Sequence, residues 1–561
     1  MSYIDWIILI ATLSGIVLLG IFNSKGQNNT EAYLKGTHQF PWYSICLSIM
    51  ATQASAITFI SLPGQAFDDG MRFIQIYFGL PIAMVIISIT FVPLFHHMKV
   101  YTAYEFLEKR FDGKTRSLTA ILFLLQRGLT TGISMYAPAL VLSVILGWNT
   151  LVTNIIIGVL VSIYTISGGS KSVGFTHHYQ MLLVLAVMAF VGVFIVYLLP
   201  EKIGFVESLT LAGKLGKLNA VDLSFDPTSK YNIWTGVIGG VFLSLSYFGT
   251  DQSQVARYIS GSSIKESRMG LLLNGFVKIP MQFGILLIGV LVYVFYIFNS
   301  GPLFYNPIEE KAINKSSYAA EFKAKEMEFK EARNQREEAA FKIATGNYTK
   351  DQLIEYKESD NQIKQLRKDV SKIAKARSPL LSNENDTNYI FLRFVTTHLP
   401  TGLIGLLIAV IFSASMSSMA SGLSSLASAT VVDVYKKSIV KEKSDAHYLK
   451  ASRVSTLIWG VVCVGFAELA GNLGSLIEVV NVMGSLFYGT VLGVFIAAFY
   501  FKKLKGTPVF IAAILTEAIV FYCYYFTKIP YLWYNAIGCI LVITISWMVQ
   551  ALIKQPKKVL E

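Results

Sequence analysis

The sequence predicts an all-α, polytopic membrane protein with about thirteen transmembrane helices. Three observations carry that expectation. Hydrophobic residues fill 53% of the 561 positions and charged residues only 15%, more apolar surface than a soluble chain of this length hides. Apolar runs of the ~20 residues that a helix needs to cross the hydrocarbon core recur along the whole chain. Basic residues gather in alternate connections between those runs, following the bias of Lys and Arg toward the cytoplasmic face.

In chain order the runs centre on 4–22, 42–66, 74–95, 118–146, 150–167, 178–199, 233–250, 268–298, 400–432, 452–469, 474–500, 507–526 and 530–552. The first contains Asp5 and has neither a basic leader nor a small-residue cleavage pattern, so it reads as a retained helix and not as a signal peptide. One set of connections holds Lys99, Lys109, Arg110, Lys114 and Arg116, then Arg257, Lys265 and Arg268, then Lys436, Lys437, Lys441, Lys443 and Lys450. Lys502, Lys503, Lys505 and the tail Lys554, Lys557 and Lys558 continue it. The connections between, at 66–73, 147–149, 470–473 and 527–529, are nearly free of Lys. With an odd number of spans this puts the N-terminus outside and the C-terminus in the cytoplasm of an inner or plasma membrane. The loop 200–231, with four lysines, is the local exception. The net charge of +13 therefore reports topology, and the expected partner is a lipid bilayer, not nucleic acid. Cys46, Cys463, Cys523 and Cys539 lie inside runs, without disulfide or zinc spacing.

One stretch interrupts the pattern. Residues 305–386 are rich in Lys, Glu, Ala and Gln, as in EFKAKEMEFKEARNQREEAAFKI, and read as two solvated helices joined by GNYT with opposite charges at helical spacing. The predicted organisation is spans 1–8 over 1–304, an extracellular or periplasmic helical insertion over 305–386, and spans 9–13 over 387–561. A partner docking on the insertion stays open.

The spans hold no nucleophile, acid–base pair or metal cluster in register, so an enzyme is not expected. Moving a solute across the bilayer instead needs helices that stop being helical near the midplane, where freed carbonyls and hydroxyls line a protein cavity. Two polar patches fit: Ala-Thr-Gln-Ala-Ser-Ala-Ile-Thr at 51–58 and the Ser-rich stretch 413–425. Their oxygens are hard ligands for an alkali or alkaline-earth cation. Close packing of small residues between helices is the alternative reading.

Four further stretches are informative in their order. They are Tyr-Thr-Ile-Ser-Gly-Gly-Ser-Lys-Ser-Val at 164–173 with Thr176 and Gln180; Thr-Ala-Tyr-Glu-Phe-Leu-Glu-Lys-Arg-Phe at 102–111; Thr-Asp-Gln-Ser-Gln-Val-Ala-Arg-Tyr-Ile at 250–259; and Ala414 with Met-Ser-Ser at 416–418 and Asp-Val-Tyr-Lys at 433–436. Together they resemble the sodium/solute symporter family, and 250–259 is nearest in wording to its iodide, monocarboxylate and multivitamin branch. The resemblance implies a leucine-transporter-type core of five plus five inverted helices with broken members, working by alternating access.

It also implies a sodium site from the carbonyls of Ala51, Ala54 and Ala414 and the hydroxyls of Ser417 and Ser418. Positions 414, 417 and 418 independently share one helix face. The second sodium site of some relatives is not expected, because His177 stands where an Asp belongs and Ala420 replaces a Ser. For the solute, the resemblance points to Gln53, Thr58 and Tyr77, and to Lys278 as a recurring family lysine. Arg127 lies ~15 Å into its span, where an intramembrane Arg marks a functional site; its planar fork suits a carboxylate, and it resembles the carboxylate anchor of bacterial sialic-acid carriers. Phe248 and Gln252 are further candidates near a break following Gly239, Gly240 and Gly249. Asp251 is assigned to an intracellular gate beside Arg257. The expectation is a sodium-coupled symporter of a small organic anion, a sialic acid or monocarboxylate; the alternatives are a neutral sugar or polyol symporter and a transporter-like sensor.

Overall fold

The computed structural model describes residues 1–23, 40–98, 102–346, 348–377, 386–440, 442–470 and 474–553, with the side chains of 17, 19–23, 167–178 and 438 also outside the description. His177, Lys99, Lys441, Lys554, Lys557 and Lys558, with the connection 471–473, therefore lie outside the described residues. Among the described residues the regular structure is helical, and the one β contact is an isolated bridge between Phe40 and Gly261.

Nine helices there are long and apolar enough to cross a membrane. Three shorter apolar helices, Tyr3–Ile16, Thr150–Ile166 and Thr235–Thr250, coincide with the runs at 4–22, 150–167 and 233–250. The runs 150–167 and 178–199 lie on one continuous helix, Thr150–Tyr197, where a connection was expected. The Ser-Gly-Gly-Ser stretch between them has no Pro to remove a backbone donor.

Local chemistry sets the boundaries of the helices that build the interior. Helix α1 (Tyr3–Asn23) is followed by α2 (Trp42–Gln53) and α3 (Ala56–Asp69), two halves of one broken span. Helix α4 (Gly113–Leu146) starts on Asp112, whose carboxylate accepts from the Thr115 amide at 2.8 Å, and stops at Gly147 in the left-handed region. Helix α5 (Thr150–Tyr197) is capped by Asn149. Helices α6 (Gly240–Thr250) and α7 (Gln252–Ile259) are again one interrupted span. The break expected after Gly239, Gly240 and Gly249 falls at Asp251, whose extended backbone (ψ 117°) separates them. Gly240 instead packs against the Ile76 carbonyl and Gly249 against the Phe91 ring. Helix α8 (Ile264–Phe298) begins on the Ser263 cap. It runs so close to α3 that a Cβ on Gly289 would lie 2.2 Å from the Pro63 carbonyl oxygen.

The insertion forms a helical hairpin, α9 (Ala319–Ala344) and α10 (Lys350–Arg377). Gly346 (φ 79°) turns the chain, and Thr349 with Gln352 makes a reciprocal capping box. It is not simply solvated. Phe322, Phe329, Ile363, Leu366 and Val370 pack into a core of their own with Leu303 and Phe304. Arg336 pairs with Asp360 at 3.2 Å and donates to the Tyr296 carbonyl at the end of α8, and Tyr356 meets the Tyr293 hydroxyl at 2.7 Å. The hairpin is thus docked on the frame of the membrane domain.

Helix α11 (Thr387–His398) leads into α12 (Leu403–Ser428), the Ser-rich span. The Asp5 carboxylate of α1 accepts from the Gly402 and Gly405 amides at 2.7 and 3.1 Å, capping the start of α12 from another helix. Helices α13 (Asp445–Ala470), α14 (Leu476–Tyr500), α15 (Gly506–Phe526) and α16 (Tyr531–Leu552) complete the fold.

Candidate functional site

Two interrupted helices supply the interior with backbone that is not committed to a helix. At the α2/α3 junction Ala54 (ψ 97°) and Ser55 (ψ 178°) are extended. The Ala54 amide still donates back to Met50, and the Thr58 amide restarts the ladder on Ser55. The Ala56 amide donates instead across the gap, to Ser415 Oγ of α12 at 3.1 Å. That leaves the Thr52 carbonyl without its helical donor, and it ties the break to the Ser-rich helix.

A cavity of about 150 Å³ opens beside this junction, between α2, α3, α4, α6, α8, α12 and α14. Gln53, Thr58, Tyr77, Arg127, Phe248 and Lys278 all line it, with Ser418 from the predicted sodium set. Ala51, Ala54, Ala414 and Ser417 lie buried. The Ser417 hydroxyl is enclosed without a hydrogen-bond partner, and Ser418 spends its proton on the Ser415 carbonyl at 3.1 Å, so oxygen lone pairs of both are available to a cation. Hydroxyl and carbonyl oxygens are hard donors, a set suited to sodium.

One sequence assignment is corrected here. Gln252 does not line the cavity; it follows the break, and its side-chain oxygen accepts from the Ala103 amide at 3.0 Å in the 102–111 segment. Asp251 was expected at an intracellular gate, with Arg257 nearby. Its Oδ2 faces Arg127 Nη1 at 3.4 Å, while Oδ1 caps α7 through the Ser253 amide and hydroxyl at 2.8 and 2.7 Å. Arg257 donates to Ser421 Oγ at 2.7 Å. Arg127 is thus a cavity residue whose charge already has one buried counter-ion, and its Nε has no partner.

Several lining residues were missed. Thr131 and Ser134 follow Arg127 by four and seven positions, so a polar stripe down α4 was legible. Gln282 follows Lys278 by four; its amide donates to the Tyr77 hydroxyl at 3.1 Å, linking α8 to the chain beyond α3. Asn481, a lone amide in an apolar run, and Tyr488, whose hydroxyl accepts from Gln126 at 2.9 Å, come from α14. Among the described residues, neither Asp nor Glu lines the cavity.

Comparison with known proteins places this arrangement. A solved structure of a Na+-coupled sialic acid symporter in a substrate-bound outward-open state superposes with a TM-score of 0.75 over 100% of both chains, at 22% identity. The chain is 24% identical to the sodium/sialic acid symporter of Aliivibrio fischeri over 98% of its own length and 94% of that protein. It is also 24% identical to a putative sodium-dependent multivitamin transporter of Drosophila melanogaster, over 97% and 85% of the two chains. The family model for the sodium:solute symporter family matches residues 33–319 and 372–515, and the stretch it passes over lies within the α9–α10 hairpin. The chain belongs to the sodium:solute symporter family, and it is a multi-pass membrane protein that couples solute transport to sodium.

Proposed function

We propose that the solute is a small organic anion, with a sialic acid or a monocarboxylate foremost, and that Arg127 holds its carboxylate. One observation carries this: the cavity is lined by two basic side chains, Arg127 and Lys278, and by no acid among its described residues. A guanidinium at that depth is costly unless it is paired, and its fork suits a carboxylate. Gln53, Thr58, Gln282 and Asn481 add amides and a hydroxyl suited to a solute with hydroxyl groups. That lining also favours the second reading, a neutral sugar or polyol, which would leave Arg127 with Asp251 as its one carboxylate partner among the described residues. Relatives named for sialic acid support the anion.

Sodium sits among the carbonyls of Ala51, Ala54 and Ala414 and the hydroxyls of Ser417 and Ser418, bridging the α2/α3 break to α12. One sodium moves per cycle. Bound sodium holds the break in the form that shapes the solute cavity, so each ligand raises the affinity for the other. The N-terminus and the α9–α10 hairpin lie outside and the C-terminus in the cytoplasm.

Thermal stabilisation of the purified chain tests the reading. N-acetylneuraminate or lactate should raise the melting temperature in sodium and not in potassium, and Arg127→Ala should abolish that rise while keeping the rise due to sodium alone. Stabilisation by glucose or a polyol, unchanged in Arg127→Ala, would replace the anion with a neutral solute.

A further inference from the structure

Arg127 belongs to two neighbourhoods at once. One side of its guanidinium lines the cavity; the other reaches Asp251, 1% exposed, in the extended residue between α6 and α7. The flanks of that residue are held from the loop 102–111. The Tyr104 hydroxyl donates to the Thr250 carbonyl at 2.9 Å, and Gln252 accepts from the Ala103 amide at 3.0 Å. Thr102, next in the loop, donates to Asp433 at 2.7 Å, and Asp433 pairs with Arg116 at 2.6 Å. Arg116 also pairs with Glu108. Hydrogen bonds and ion pairs, joined by short stretches of backbone, therefore link the cavity, through one carboxylate in a helix break, to the segment 102–111 and to the turn that follows α12.

We infer that Asp251 is the resident counter-ion of Arg127, which a carboxylate solute displaces, and that this exchange loosens the α6/α7 break and the loop fastened to it. The inference rests on the anion reading above. The contact is built for exchange: it is a single long approach of 3.4 Å with Arg127 Nε unpartnered, not the bidentate pair a guanidinium makes when it is locked. Two carboxylates cannot both share one cation in a dry site without repulsion. The solute's arrival therefore favours the state in which Asp251 has moved away, and a ligand shifts an equilibrium through such differential contact. Asp251 is a positioning residue: it acts on transport through Arg127 and the break.

The test is Asp251→Asn, with Asp251→Ser beside it. Both replacements are good helix caps, so α7 keeps its start while the carboxylate is lost. Full-length protein in proteoliposomes is assayed for sodium-driven uptake of N-acetylneuraminate and lactate, with stabilisation by sodium alone as the check of folding. The expected result is a split: KM for the anion falls about tenfold, the scale of one charge-assisted hydrogen bond regained, while maximal uptake falls at least about fivefold, because release of the break no longer depends on the solute. A variant that lost only helix stability would not bind anion more tightly. Unchanged KM and maximal rate in whichever variant folds, with an anion whose binding still needs Arg127, would overturn the exchange and leave the anion reading intact. Binding of neither anion to the unaltered protein would overturn both.

Discussion

Ser417 combines complete burial with a hydroxyl that no protein group satisfies, an arrangement that costs stability unless something else fills the vacancy. Ser417→Ala should therefore weaken sodium roughly tenfold or more, the scale of an oxygen contact to a charge at about 1.5–3 kcal/mol, read as the sodium concentration for half-maximal uptake. The fold should melt at an unchanged or higher temperature without sodium. At this scale the cavity was largely legible. Intramembrane polar residues are too costly to be incidental, and Gln53, Thr58, Tyr77, Arg127, Phe248 and Lys278 converge on one cavity. Gln252 was expected there and does not reach it, because a helix break resets the rotation of every residue after it, and spacing no longer says which way a side chain points. The Arg127–Asp251 pair spans 124 positions, beyond the reach of any local pattern.

Among the elements, the halves of broken spans are fastened to unbroken partners. The contact of α3 with α8 at Gly289 leaves no room for a methyl group, and the obstructing atom is backbone. Gly289→Ala should lower the melting temperature by the equivalent of about 1–3 kcal/mol, with a correspondingly larger loss of transport if α3 and α8 separate during the cycle. Composition foreshadowed the break at 51–58, and the glycines ending at Gly249 the one at Asp251, but nothing in the residues marks Asp251 itself as the position where the helix stops. The insertion was visible as charged helices, yet its docking was not, since the Tyr293–Tyr356 contact joins residues 63 apart. Its return to the membrane passes Asp386, which accepts from the Tyr305 amide at 2.6 Å. Burial pushes the Asp386 carboxyl up to about 6, against the pull of Arg367. The folded state therefore holds this proton more tightly than the unfolded one, where the value is ~3.9. Its contribution is fullest below pH ~4, declines as pH rises to about 6, and is level above. Asp386→Asn should flatten that part of a melting-temperature profile between pH 4 and 7; an unaltered slope would show that the carboxyl is ionised throughout.

For the whole molecule, charge bookkeeping separates the solutes. One sodium with one monovalent anion carries no net charge, whereas one sodium with a neutral solute gains ~2.3 kcal/mol per 100 mV. Uptake into proteoliposomes should be indifferent to an imposed potassium diffusion potential; a steep response would reject electroneutral coupling. Most span positions were readable from the chain because they depend on one-dimensional hydropathy, the continuous helix through 150–197 apart, whereas pairing between distant helices has no such signal. That distance has a temporal side. The carboxylate of Asp5 finds its amide partner 397 residues later, at Gly402. At ~5–20 residues per second, the ribosome needs roughly 20 to 80 s to supply it. During that interval the Asp5 carboxylate has local partners for one oxygen alone, Oδ2, which accepts from the Ser2 amide and hydroxyl at 2.8 Å, while Oδ1 waits for the distant amides. Asp5→Ala would relieve the nascent helix and deprive the finished one, so its yield on insertion and its stability after purification should move in opposite directions.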